Sequence, residues 1–399
     1  MTKPLAKLRV IECGTLIAGP FAGRLLADLG AEVIKVELPG QGDPMREWGH
    51  HRFNGRTLWW PTMSRNKKCI TIDLRKTQGQ ALLLRLAEQA DMLIENFRPG
   101  TMERWGLGPE DLKSINPGLV MVRVSGFGQT GPYSQKAGFG AIGEAMGGLR
   151  YVSGYADRPP TRIGISIGDS LAALFGVIGA LTAVYYRDHN EQAHGQVVDV
   201  AIYEAVFAMM ESALSEYTTV GVTRERTGSV LKNVAPSNLY KTSDGFWVLI
   251  AANADNVFRR LAPAVGRPDL LEDPRYADHQ ARGENMESLD AIIEHWTKHR
   301  SRDEILRIMD EAGVPAGPLY TMADIAADPH YQDREMIVTV EDPHLGELKM
   351  QGVVPKLSLT PGSIDWTGPE LGEHNEEIFK GLLGLSDEEY LTLQQEQVI

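Results

Sequence analysis

Cysteine is nearly absent from this chain, with two residues, Cys13 and Cys69, among 399. Each lies inside a strand-like run, so two buried thiols are expected and a disulfide framework is not. Basic charge is also in short supply. Forty lysines and arginines face 53 aspartates and glutamates, a formal net charge of −13, with the acidic residues dispersed rather than blocked. That balance argues against a nucleic-acid partner or an anionic membrane surface, although a single pocket can still be locally basic. No charged-then-apolar leader opens the sequence, and no run of about eighteen apolar residues occurs. The longest apolar stretch, Leu171–Leu181, is bracketed by Asp169, Arg187 and Asp188 and interrupted by Gly176 and Gly179. It reads as a buried core helix, and the expected setting is the cytoplasm.

Several chemical signatures are missing as well. The ten histidines are scattered, and neither H-E-x-x-H nor G-x-S-x-G occurs. Adjacent His50 and His51 do not converge on one ion, so no metal site is expected. The turn after the first predicted strand carries Gly14, Gly19 and Gly23, which breaks the G-x-G-x-x-G spacing, and Pro20 removes a backbone donor. A nicotinamide dinucleotide is therefore not expected there. The same turn is still suited to the pyrophosphate or adenine side of another nucleotide-bearing ligand.

What is present follows βαβ grammar. Leu8–Cys13, Phe21–Asp28 and Glu32–Glu37 read as strand, helix and strand, and similar units follow at Cys69–Leu74, Met92–Glu95 and Leu119–Ser125. Residues 1–200 thus predict a doubly wound, Rossmann-like parallel α/β domain. A long helix from about Val200 to Tyr217 is expected to leave this body as a linker over 201–224. A smaller α+β domain is expected over 225–329, with a strand at Phe246–Ala251 and helices near Val257–Val265, Ser288–Lys298 and Arg302–Ala312. The polar, strand-like segment after Pro329 ends in two helices, Asn375–Leu383 and Ser386–Gln397.

One tripeptide stands out. Gly168-Asp169-Ser170 closes the apolar run Arg162–Ile167 and precedes the helical stretch, which places a carboxylate at a predicted strand-to-helix junction. Unpaired N–H groups and partial positive charge at a helix start keep such a carboxylate ionised, which suits a nucleophile. Asp is equally a favoured helix cap, so the tripeptide alone does not decide between the two roles.

Ordered blocks along the chain add to this reading. They are Ala18-Gly19-Pro20, Leu29–Glu37, Gly42-Asp43-Pro44, Asn66-Lys67-Lys68, Glu95–Gly100, Gly126–Tyr133, Gly168-Asp169, Gly195–Val200, Pro236–Gly245 and Gly372-Glu373-His374. In this order the sequence resembles the family III coenzyme A transferases, of the formyl-CoA-transferase-like kind and nearest to members that use succinyl-CoA and dicarboxylates. The resemblance implies that Asp169 is the acyl-accepting nucleophile and that Arg75, Asn96, Phe97 and Arg104 bind CoA, with Arg75 standing in for a lysine. It implies further that the 330–399 tail returns to the large domain, that two chains interlock as a homodimer, and that no metal or prosthetic group is needed. Trp48 and Trp59 match aromatic positions near the acyl site. Arg46, Arg52 and Arg56, with His50 and His51, form a basic cluster around them that is expected to hold the second carboxylate of a C4–C6 dicarboxylate.

The pattern departs from the oxalate-using members at Ile17, Leu38 and Ala252–Asn256, where those carry glutamine, arginine and a glycine run; oxalate is therefore not the expected acceptor. A racemase of the same fold pairs the matching aspartate with a histidine in the segment aligned to Lys136–Gly140. Here Phe139 stands at that position and cannot exchange a proton. A catalytically silent acyl-CoA-binding protein is the remaining alternative.

Overall fold

A computed structural model describes residues 3–192 and 194–399. The chain divides into two compact units. Met1–Leu149, Ile163–Thr219 and His330–Ile399 form the larger, and Arg150–Arg162 with Val220–Pro329 the smaller.

The larger unit is built on strands β1 (Arg9–Glu12), β2 (Glu32–Glu37), β5 (Lys67–Thr71), β6 (Met92–Glu95), β7 (Val120–Ser125) and β8 (Val197–Ala201); β3 (Arg52–Phe53) and β4 (Arg56–Thr57) make a separate hairpin. The six strands run parallel in the order β5-β2-β1-β6-β7-β8. Their near-continuous apolar sequences follow from burial on both faces. Alternate residues point opposite ways, so Ile11, Ile34, Ile70 and Leu93 pack with Leu82, Leu83 and Phe379. Val10, Val33, Met92 and Val122 pack on the other side with Ala22, Leu26, Ala172 and Ala180. The chain winds outward from β1 to β2 and β5, then returns to place β6, β7 and β8 on the opposite side. The crevice between β1 and β6 is the topological switch point, where open α/β sheets receive ligands.

The 167–188 segment departs from its expected form. The helix Ile167–Asp188 buries mainly small residues, including Ala172, Ala173, Gly176, Ala180 and Ala183, with Val184, against β7, β8 and the helix Ala18–Asp28. Leu174, Ile178, Tyr185 and Tyr186 face outward, so it is a half-buried helix rather than a core one. By length and composition it is the one helix among the described residues apolar enough to cross a membrane. The preceding Arg162–Ser166 run joins no strand.

The expected 200–217 helix is also absent as one piece. Its β-branched start completes β8, and helices Ile202–Phe207 and Ala213–Val220 follow, separated near Glu211, whose φ is +50°. A hairpin of β12 (Ile337–Asp342) and β13 (Gly346–Gln351) opens the final segment of the larger unit. The tail then lies along the free edge of β5. Asn66 N–H donates to Trp366 O at 3.1 Å, His374 N–H to Cys69 O at 3.0 Å, and Thr71 N–H to Asn375 Oδ1 at 2.9 Å. These bonds cover an edge that would otherwise offer unpaired backbone groups.

The smaller unit is α+β. An antiparallel sheet of β9 (Ser237–Lys241), β10 (Trp247–Ala251) and β11 (Ala316–Pro318), with β10 in the centre, is covered on one face by helices Asp255–Ala264, Met286–Thr297 and Arg302–Glu311. Tyr240, Val248 and Ile250 meet Phe258, Leu289 and Ile305 in its core.

Candidate active site

Asp169 is the third residue of the Ile167–Asp188 helix, one turn inside the position expected for a cap; Ser166 precedes the helix and provides no side-chain cap. The carboxylate is half-buried and lies in the first helical turn, where the N–H end of the helix favours negative charge. It rests directly on Gly140, the first residue of the helix Gly140–Met146. A Cβ at 140 would sit 2.1 Å from Asp169 Oδ2 and 2.7 Å from Cγ, so only glycine leaves room for the carboxylate. Phe139, immediately before Gly140, is largely exposed. Ser170 donates its hydroxyl to Ser166 O at 2.9 Å.

The switch-point crevice holds a cavity of about 280 Å³ lined by Thr15, Leu38, Asp43, Arg75, Phe97 and Trp105, among others. Arg75 is exposed at its rim and doubly bonded to Asp73, with Nε to Oδ1 at 2.7 Å and Nη2 to Oδ2 at 2.8 Å. The guanidinium holds the Asp73 carboxyl below the usual carboxylate range. Asn96 acts from behind the wall. Its side-chain amide donates to Thr15 O at 2.9 Å and accepts from Thr15 N–H at 2.8 Å, tying the loop after β6 to the loop after β1. Phe97 meets Trp105 edge to face with ring centroids 5.3 Å apart. Arg104 is exposed, donates to Thr101 Oγ1 at 2.9 Å, and does not line the cavity.

The basic cluster separates into matched pairs. Arg46 binds Glu37 through Nε at 2.8 Å and Nη2 at 2.7 Å, donates to Pro369 O at 3.1 Å, and lies 3.7 Å above the Trp60 ring. Arg52 pairs with Glu47 at 2.6 Å, and Arg56 with Glu370. All three arginines line a second cavity of about 560 Å³ beside the returning tail, which Glu341, Asp342, Glu370 and Glu373 also line. Each arginine of the expected basic cluster thus has a carboxylate partner. Trp48 and Trp59 are exposed and pack edge to face at 5.5 Å, outside that cavity; the buried tryptophan of the segment is Trp60. His50 and His51 are exposed. No group of three or more metal-ligating side chains is assembled among the described residues.

The model of CoA-transferase family III matches residues 5–375. The chain belongs to that family. It is 61% identical over 397 residues to the succinyl-CoA–D-citramalate CoA-transferase of Chloroflexus aurantiacus, covering 100% of this chain and 98% of that protein. It is 42% identical to the alpha subunit of the Chloroflexus aurantiacus succinyl-CoA–L-malate CoA-transferase, covering 99% of this chain and 92% of the other. Among solved structures, a CaiB/BaiF family protein from Brucella suis superposes with a TM-score of 0.85 at 34% identity, over 96% of this chain and 100% of that one.

In this CoA-transferase the structure brings Arg75 and Phe97 to one crevice with Asn96 behind them. It places Asp169 against Gly140, and leaves Arg104, Trp48 and Trp59 on the surface. Sequence reasoning missed Trp105 and Asp43 as cavity walls and Gly140 as the seat of the carboxylate. The Gly42-Asp43-Pro44 block signalled Asp43, and the racemase pairing of the matching aspartate with the Lys136–Gly140 segment was the signal for the approach of residue 140 to residue 169.

Proposed function

We propose that this CoA-transferase moves CoA from succinyl-CoA to a C4-chain dicarboxylate of the malate or citramalate type, with Asp169 as nucleophile. The observation that carries this reading is full-length similarity, at 61% identity, to a transferase named for succinyl-CoA and D-citramalate. An Asp169 oxygen attacks the thioester carbonyl, the C–S bond breaks, and CoA leaves as thiolate from a mixed anhydride. The thiolate then attacks the aspartyl carbonyl, releasing succinate and leaving an aspartyl-CoA thioester. The acceptor carboxylate attacks that carbonyl and expels the thiolate. Attack of the thiolate on the acceptor's acyl carbon then yields acceptor-CoA and restores Asp169. Each intermediate keeps one acyl group activated, as an anhydride or a thioester, which hydrolysis would not.

The first-turn position of Asp169 supports an ionised nucleophile, and the switch-point cavity with Arg75 and Phe97 supports a site for the nucleotide end of CoA. The outward apolar side chains of the Ile167–Asp188 helix support pairing of two chains, and the interlocked homodimer is the arrangement proposed. Two buried free thiols fit a cytoplasmic setting. The test is intact-protein mass measurement after incubation with succinyl-CoA, with hydroxylamine trapping. The expected adduct maps to Asp169 and is missing from Asp169→Asn; normal turnover by Asp169→Asn overturns the mechanism.

A further inference from the structure

Four charged side chains sit almost completely out of solvent beneath the switch-point cavity: Glu12 on β1, Lys35 on β2, Lys67 on β5, and Asp43 after β2. They form one chain of ion pairs. Lys35 Nζ lies 2.8 Å from Asp43 Oδ2 and 3.2 Å from Glu12 Oε1, and Lys67 Nζ lies 2.7 Å from Glu12 Oε2. Charges this deep are costly to desolvate, and a pair of apolar residues would serve packing equally well. Apart from the bond that Asp43 Oδ1 accepts from Met45 N–H at 2.8 Å, their remaining hydrogen bonds lead to one turn. Lys35 donates to Gly14 O, Lys67 to Pro20 O at 2.7 Å, and Asp43 Oδ1 accepts from Leu16 N–H at 3.1 Å. With Asn96 on both polar groups of Thr15, the backbone from Gly14 to Pro20 is held at five points.

That turn contains a conformation that needs holding. Leu16 has φ of +64°, the left-handed region that a leucine adopts only under constraint from its surroundings. Burial by itself would raise the Asp43 carboxyl; Lys35 and the N–H donors of Met45 and Leu16 outweigh it and hold the group ionised. Lys35, Asp43 and Thr15 all contribute to the cavity wall, so the clamp and the ligand space share a boundary.

We infer that Glu12, Lys35, Asp43 and Lys67 form a buried clamp that holds the strained Thr15-Leu16-Ile17 turn in the shape that receives CoA, with Asp43 as its principal positioning residue. The inference rests on the reading of the switch-point cavity as the CoA site. It concerns binding geometry and assigns these residues no part in the chemical steps.

The experiment measures the CoA dissociation constant by calorimetry, with KM and kcat for succinyl-CoA, in Asp43→Asn, Leu16→Gly and their combination. Asp43→Asn is expected to weaken CoA binding and raise KM about tenfold or more, the effect of losing a charge-assisted hydrogen bond, while kcat at saturation changes less than about threefold. Glycine adopts the +64° conformation without penalty, so Leu16→Gly is expected to restore most of the CoA affinity lost in Asp43→Asn. A merely structural aspartate would not be rescued in this way. The pair Lys35→Met/Asp43→Leu, which leaves no lone charge on either side, gives a second folded test and is expected to bind CoA weakly. Unchanged CoA affinity in Asp43→Asn, or no rescue by Leu16→Gly, overturns the clamp. Asp169→Asn is measured in parallel: activity there would defeat the proposed nucleophile without touching the CoA-affinity result.

Discussion

Replacing Gly140 by alanine adds one carbon, and the structure says where that carbon goes. It would lie 2.1 Å from Asp169 Oδ2 and 3.0 Å from Oδ1, against a practical limit near 3.0 Å. The carboxylate must therefore retreat by about 1 Å, a displacement that costs about 10²-fold in a reaction dependent on near-attack geometry. That is about 2.7 kcal/mol of transition-state stabilisation. The fold has little reason to suffer, since alanine is the better helix former by about 1 kcal/mol and residue 140 opens a helix. The assay is steady-state transfer from succinyl-CoA to a C4 dicarboxylate, together with calorimetric CoA affinity and thermal melting. The expected result is a kcat about a hundredfold lower, with CoA affinity and melting temperature close to wild type. A kcat within threefold of wild type would show that the seat of the Asp169 carboxylate does not govern the reaction.

Arg46→Ala should lower folding stability by about 3 kcal/mol in chemical denaturation, because it strands buried Glu37, while leaving the preference among acceptor acids unchanged. Arg52→Ala and Arg56→Ala, whose partners Glu47 and Glu370 are exposed, should change stability by less than about 1 kcal/mol and leave the kcat/KM ratio of succinate to butyrate unaltered; selective loss with dicarboxylates would return the segment to acceptor recognition. Burial lowers the His374 imidazole below its ordinary value against the raising influence of Glu373 and Glu377, and its Nδ1 accepts from Cys69 N–H at 3.2 Å. The unfolded chain then binds the proton first, so the stabilisation is complete above about pH 6.5 and fades as pH falls through the folded-state value; the wild-type pH slope of stability should flatten in His374→Gln. Incubation of a 2-methylacyl-CoA in deuterated water should leave the α-carbon unlabelled, because Phe139 supplies no second proton-handling group.

The sheet was legible because parallel strands buried on both faces write themselves as apolar runs, and β2 falls on Glu32–Glu37 as the sequence reading placed it. The reading erred where an apolar run has two physical outcomes. Arg162–Ile167 looks like a strand, but the run pairs with no strand and its last residue already opens the following helix. Leu171–Leu181 looks like core, yet the buried positions there are alanines and a glycine, Leu171, Phe175, Val177 and Leu181 are only partly buried against the core, and Leu174 and Ile178 are turned outward. Single-residue signals such as Gly168-Asp169 and Asn96-Phe97 fall at the start of a helix and at the loop beside the switch-point cavity. Pairwise facts did not: Arg46 with Glu37, Asp43 with Lys35, and Gly140 beneath Asp169 depend on chain crossings that no local spacing encodes.

The distribution of charge constrains how this enzyme meets its anionic substrates. Each arginine of the 46–56 segment is neutralised by a partner, and the chain as a whole carries −13. A broad positive field is therefore not what gathers succinyl-CoA, and long-range steering contributes little. The local feature that favours negative charge is short-ranged: the N–H end of the Ile167–Asp188 helix around Asp169. Fixed dipoles of this kind need no reorganisation when charge moves from thiolate to carboxylate and back, whereas mobile surface cations would have to follow it. The proposed reaction hands activation from succinyl to aspartyl to the acceptor's acyl group through two anhydrides and a thioester, and it gains from such an environment wherever negative charge develops beside the helix start.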